Sequence, residues 1–209
     1  MTIQTFVVGP LQNNCYLLAD EASGRAAVID PGLQCEPVLE AVRAGGLRLE
    51  CVILTHAHFD HVCGIGLFTA AGAAGVLLHP DDLPLLGTAP ETARFFGYTI
   101  PAPPNPSRLV REGDRIQVGG ASLTVLETPG HTPGGISLLA GESVFVGDTL
   151  FAGSVGRTDL AGGSSSLLIR SIRTKLLALP DETVVYPGHG PATTIGAERR
   201  DNPFLQGRG

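Results

Sequence analysis

The chain has 209 residues, 43% of them apolar and 16% charged, and carries a net charge of −6 at pH 7. That balance suits a globular fold with a sizeable core, and it excludes a disordered chain and a basic nucleic-acid surface. The 28 glycines and 16 prolines fall between short apolar runs, which predicts many short strands joined by tight turns.

In chain order, strands are predicted near residues 3–8, 14–19, 26–30, 50–55 and 75–79, with helices near 36–44 and 61–73. Seven prolines interrupt residues 80–108, so this stretch reads as a surface excursion with helical turns at Asp81–Leu86 and Glu91–Phe96. Strands resume near 115–118, 122–126, 136–139 and 143–147. A helix over 165–179 shows Leu167, Leu168, Ser171, Ile172, Leu176 and Leu177 on one face and stops at Pro180. The N-terminus lacks the basic start and apolar stretch of a signal peptide, and no apolar run is long enough for a bilayer, so a cytoplasmic location without a membrane partner is expected. Cys15, Cys35, Cys51 and Cys63 have neither paired nor Cys-x-x-Cys spacing, so neither a disulfide framework nor a structural zinc site is indicated, and buried small-residue roles are expected for Cys51 and Cys63. Nothing in the sequence fixes the oligomeric state.

Residues 55–61 read Thr-His-Ala-His-Phe-Asp-His, placing three of the six histidines beside an aspartate. Imidazole nitrogens and carboxylate oxygens are the donors that hold zinc, iron or manganese in hydrolytic sites. The string follows the apolar run Glu50–Leu54 and precedes a helical pattern, so it sits at a strand-to-helix turn. An extended His56-x-His58 pair turns both rings to one side, while Asp60 and His61 follow as the chain curls, a spacing that fits two metals better than one. Three further donors stand just past predicted strands and beside glycines: His131 in Pro129-Gly130-His131-Thr132, Asp148 after Gly147, and His189 in Pro187-Gly188-His189-Gly190. Each alone is an ordinary turn residue; together they complete a seven-donor set.

The string Thr-His-x-His-x-Asp-His, followed by a Gly-His turn, a Gly-Asp-Thr strand end and a Pro-Gly-His-Gly turn, resembles the metallo-β-lactamase superfamily. Within it the chain is most similar to the glyoxalase II-like group, the hydroxyacylglutathione hydrolases and their short bacterial relatives. The likeness runs from Val8-Gly9-Pro10-Leu11-Gln12-Asn13-Asn14-Cys15-Tyr16 to His189. It implies an α+β fold, an αββα sandwich of two mixed β-sheets flanked by helices. A single domain over residues 1–209 is expected, without a separate C-terminal helical glutathione-binding domain. It also implies two divalent metal ions, zinc by expectation, with iron or manganese as alternatives. His56, His58 and His131 would hold the first, Asp60, His61 and His189 the second, and Asp148 would bridge them. Asp60 and Asp148 would be the catalytic groups that orient an attacking water. Asp30, in Ile29-Asp30-Pro31-Gly32, either starts a turn or accepts from a ligating histidine.

The same positions separate this chain from some relatives. Common class B β-lactamases have Cys at the place of Asp148 and often Arg at that of His61, and flavodiiron reductases have Glu at that of His58. Glyoxalase II proper grips glutathione with a cationic residue and two tyrosines, where this chain has Arg157, Asp159 and Pro191. Arg157 is therefore the candidate substrate-binding residue, with an ion pair to Asp159 as the alternative. The expected activity is hydrolysis of a small-molecule thioester, S-lactoylglutathione or a related hydroxyacyl thioester. The alternatives are a single-iron persulfide dioxygenase, which shares Gly156-Arg157-Thr158-Asp159, and a lactonase. A non-enzymatic metal-binding module would lack a ligand, and none is missing. His79 reads as a structural strand-end residue. Phe95, Phe96 and Tyr98 line a substrate mouth or pack as core or lid.

Overall fold

In the computed structural model, residues 1–206 are described. The first half builds one sheet. Strands β1 (Thr2–Val8), β2 (Asn13–Asp20) and β3 (Arg25–Ile29) form an antiparallel meander. Helix α1 (Glu36–Ala44) then leads to β4 (Arg48–Ile53), which pairs parallel with β3. The short helices α2 (Phe59–Val62) and α3 (Ile65–Ala70) lead to β5 (Val76–Leu78), and α4 (Leu83–Phe95) leads to β6 (Arg108–Leu109); both added strands are again parallel.

The second half builds the other sheet. Strands β7 (Arg115–Val118), β8 (Ala121–Glu127), β9 (Ile136–Ala140) and β10 (Ser143–Gly147) run antiparallel in sequence. A small hairpin of β11 (Leu150–Phe151) and β12 (Ser154–Val155) and the helix α5 (Ser165–Ser171) follow. Then β13 (Val184–Pro187) joins β10 in parallel, β14 (Thr193–Thr194) closes the edge, and α6 (Ile195–Asp201) covers the outside. Both sheets are therefore mixed, with six strands each.

Side-chain alternation explains the layering. In β2, Cys15, Leu17 and Ala19 pack outward under α1, α3 and α4, while Tyr16 and Leu18 point inward. The inward residues meet Ile116, Leu123, Leu138 and Phe145 of the opposite sheet, and Val144, Val185, Leu168 and Ile195 form a third layer beneath α5 and α6. A strand covered on both faces has to be apolar throughout, which is why β2 reads as a nearly continuous run. The αββα layering is the one the resemblance implies.

Four elements differ from the sequence expectation. The helix predicted over 61–73 is broken at Gly64, whose N–H donates to the Pro31 carbonyl at 2.9 Å. A Cβ there would collide with Cys35 Sγ and with the carbonyls of Pro31 and Gly32, so the chain can pass only as glycine. Residues 83–95 form one helix of 13 residues with Pro90 inside it, preceded by a 3₁₀ turn at Pro80–Asp82, instead of two separate turns. Burial of Leu86, Ala89 and Ala93 along one face offsets the hydrogen bond that Pro90 cannot make. The helix predicted over 165–179 is α-helical to Ser171 and then widens into a π turn at Ile172–Leu176. No sequence pattern predicts a helix after His189, yet Thr194 caps α6 by accepting from Ala197 N–H at 3.2 Å. Among the described residues no helix is long and apolar enough to cross a membrane.

Phe145 is central to the inter-sheet layer, with its ring 5.0 Å from Tyr16 and 5.1 Å from Tyr186. Phe145→Ala should lower unfolding stability by about 3–5 kcal/mol. Val7→Ala, on a residue 66% exposed, should change it by less than about 0.5 kcal/mol. Denaturant titration of the two variants checks this, and similar losses in both would contradict the assigned core.

Candidate metal centre

Because β3 and β4 are parallel, as are β10 and β13, their C-terminal ends gather along one edge of the sandwich. The loops leaving those ends carry Asp30, His56–His61, Asp148 and His189, and the turn between β8 and β9 brings His131 to the same edge. An Ile136 N–H donating to the Thr55 carbonyl at 2.9 Å ties the two sheets together there. Gly147 has φ +50°, and a Cβ on it would strike the Thr55 side chain. One on Gly188 would strike Asp148 Oδ1 and His61. Both glycines are thus required by close approach.

The seven donors converge. One ligand atom from each of His56, His58 and His131 lies within 4.8 Å of the others, and the same holds for Asp60, His61 and His189. The Asp148 carboxylate stands between the two groups, with Oδ1 3.5 Å from His61 Nε2 and Oδ2 3.6 Å from His131 Nε2 and 3.8 Å from His189 Nε2. Asp60 Oδ2 is 3.3 Å from His189 Nε2. One ligand atom from each of Asp30, His56 and His61 also lies within 4.8 Å of the others. The Asp30 oxygens are already engaged, however, by Thr55 N–H at 2.7 Å, Thr55 Oγ1 at 2.6 Å and His61 Nδ1 at 3.1 Å, so Asp30 orients His61.

Hydrogen bonding fixes the tautomers. His61 donates from Nδ1 to Asp30, His131 from Nδ1 to the Arg157 carbonyl at 2.7 Å, and His189 from Nδ1 to the Gln12 carbonyl at 3.2 Å. The Thr55 hydroxyl donates to Asp30, so it can accept from His56 Nδ1 at 3.0 Å. These four rings therefore turn Nε2 to the centre, whereas His58 presents Nδ1, 2.8 Å from His131 Nε2. His56 Nε2 and Asp148 Oδ1 are buried with no hydrogen-bond partner. A buried polar atom left unpaired costs about 1–3 kcal/mol, and two such atoms aimed at one cluster of donors fit coordination to metal.

The electrostatics agree. Burial, reinforced by the neighbouring histidines, holds His56 well below the usual imidazole pKa and brings His58 down to about 4, so both are neutral, ligand-competent rings at pH 7. Burial also opposes charge on His61, but Asp60, Asp148 and Asp30 outweigh it and raise His61 to about 10. Burial would raise the Asp60 carboxyl, yet His61 and His189 hold it well below the usual range. The cluster thus demands positive charge, which a divalent ion supplies more compactly than protons do.

Three positioning residues escaped the sequence reading. Asp82, fully buried, accepts from Ala57 N–H at 3.0 Å, Thr132 Oγ1 at 2.8 Å and Gly134 N–H at 2.6 Å, pinning the His56–His58 loop to the His131 turn. Asn14 donates to the carbonyls of Pro187 at 2.9 Å and Gly190 at 2.8 Å, and the Asn13 carboxamide lies 3.0 Å from His61 Nδ1. The start of β2 thereby holds the His189 loop. Only the string Val8–Tyr16 hinted at this, and no local pattern marks Asp82. His79 lies apart, accepting from Asp81 N–H at 3.2 Å and donating to Glu127 at 3.0 Å. Arg157 lines the cleft, exposed, with its fork closed on Asp159 by two hydrogen bonds of 2.7 Å. The four cysteines are free, and burial pushes Cys35, Cys51 and Cys63 up to about 12.

The family model of the metallo-beta-lactamase superfamily matches residues 8–189. The chain belongs to this superfamily. It is 45% identical to a crystal structure of TTHA1623 in a di-iron-bound form, with a TM-score of 0.89 over 97% of this chain and 100% of that one. It is 39% identical to the hydroxyacylglutathione hydrolase GloC of Haemophilus influenzae, over the full length of both. It is also 34% identical to ETHE1 from Myxococcus xanthus, with a TM-score of 0.83 over all of this chain and 86% of that one.

Asp82 yields a direct test. Asp82→Ala leaves two backbone N–H groups and a hydroxyl unpaired in a buried site, so stability should fall by about 2–4 kcal/mol. The slackened loops should also weaken metal binding roughly 10- to 100-fold. Chelator competition on the variant measures this; unchanged metal affinity would refute the positioning role.

Proposed function

We propose that the centre holds two divalent ions, zinc or else iron or manganese, and that the protein hydrolyses a thioester. His56, His58 and His131 would hold the first ion and Asp60, His61 and His189 the second, with Asp148 available to both. The observation that carries this reading is the Asp148 carboxylate set between two complete donor groups, with one buried oxygen unpaired. A pair of bound ions supplies a water acidified toward neutral pH and a positive field for a carbonyl oxygen. Asp60 and Asp148, the two carboxylates of the donor set, would hold and orient that water. Four of the five imidazoles, His56, His61, His131 and His189, are held by hydrogen bonds on the side away from the centre, which keeps the arrangement from shifting during turnover. The thiols stay protonated and out of the reaction, since burial keeps Cys63 at about 12. Support for thioester chemistry comes from the relative named as a hydroxyacylglutathione hydrolase, and S-lactoylglutathione or a related hydroxyacyl thioester is the substrate that name points to.

A single-iron persulfide dioxygenase is the rival reading, favoured by the Gly156-Arg157-Thr158-Asp159 string and the likeness to ETHE1. Against it stands the complete second donor group. The deciding experiment assays the purified protein on S-lactoylglutathione, a neutral thioester, a lactone and glutathione persulfide, with oxygen uptake followed in parallel. Thioester hydrolysis is expected, and Asp148→Ala should reduce kcat by roughly a thousandfold or more. Persulfide-dependent oxygen uptake without hydrolysis would overturn the proposal.

A further inference from the structure

The cleft above the seven donors encloses about 470 Å³. Apart from the donors, its walls are largely apolar. Phe59, within the histidine string, stacks on Phe96 from the end of α4 at 5.6 Å, and Tyr98 backs it at 5.8 Å. Phe95 continues this surface outward, 86% exposed and edge-on to Phe96 at 5.4 Å. The β11–β12 hairpin adds Phe151 and Val155, and Leu160 lies beyond it. Among the described residues Arg157 is the one Lys or Arg lining the cleft, and Asp159 neutralises it through both of its hydrogen bonds. A carboxylate on an incoming ligand could only replace Asp159, exchanging one exposed ion pair for another with little gain. Along the apolar walls, away from the donor cluster, a carboxylate would be desolvated against phenyl rings, which is unfavourable, whereas an alkyl chain gains with every methylene covered.

We infer that the substrate presents an uncharged, apolar chain to this cleft: within the thioester class the cleft favours an apolar acyl group over the hydroxyacyl group that the relative's name points to, and the carboxylates of the carrier are not what the protein recognises. Phe96 and Phe151 are the specificity-determining residues. The inference rests on the thioester-hydrolase reading only for the identity of the bond that is cut.

Binding of stable thioethers separates the two. S-methyl and S-hexyl derivatives of N-acetylcysteamine and of glutathione are titrated calorimetrically into the metal-loaded protein. In a half-open cleft each methylene should tighten binding roughly twofold, so S-hexyl should bind roughly 10- to 30-fold tighter than S-methyl on either carrier. Glutathione should improve on N-acetylcysteamine by no more than about threefold. Phe96→Ala should remove roughly three- to fivefold of the hexyl gain and leave the methyl ligands unaffected, while Phe96→Leu retains most of it. Equal affinity for methyl and hexyl ligands, or a tenfold or greater preference for glutathione, would overturn the inference. If the chain-length trend holds while no thioester is hydrolysed, the hydrolase reading falls and the apolar substrate wall stands.

Discussion

Two buried carboxylates, Asp30 and Asp82, join loops that the sheets bring near one another but do not themselves connect. Each accepts three hydrogen bonds, Asp30 from Thr55 and His61 and Asp82 from Ala57, Thr132 and Gly134. A buried carboxylate is stable only when its oxygens are satisfied, so these contacts come as sets and not singly. Their effect is to hold His56, His58, His61 and His131 in one geometry before anything binds. Preorganisation of this kind distinguishes a centre that holds metal tightly from a polar loop that happens to contain histidines.

The sandwich supplies the rigid edge on which this depends. Parallel pairing of β3 with β4 and of β10 with β13 sends four loops off the same side, and the inter-sheet layer around Tyr16, Phe145 and Tyr186 fixes the distance between the two sheets. The inner layer also reaches the site: the Tyr16 hydroxyl donates to the Pro187 carbonyl, two residues before His189. Stability and function meet in that side chain, whose ring packs between the sheets while its polar tip steadies a donor loop.

Legibility in the sequence followed locality. His56, His58, Asp60 and His61 fall within six residues, so their spacing alone announces a donor cluster; His131, Asp148 and His189 are visible as turn residues beside glycine at strand ends. The seven side chains so singled out do stand together. Asp82 could not be read because its partners lie 25, 50 and 52 residues away and its own surroundings, Pro80-Asp81-Asp82, look like any turn. Proline misled in α4, where burial of one face outweighs the local penalty at Pro90. Glycine was under-read at position 64, where a close approach by Cys35 and the 31–32 carbonyls ends a helix that periodicity would continue.

On the proposed reading two metals would share the Asp148 carboxylate. The measurement that decides this is elemental analysis of the chain, stripped by chelator and reloaded to saturation. Two ions per chain are predicted, falling to one or fewer in Asp148→Ala. A single ion at saturation in the unaltered chain, or two ions undisturbed by that substitution, would contradict it.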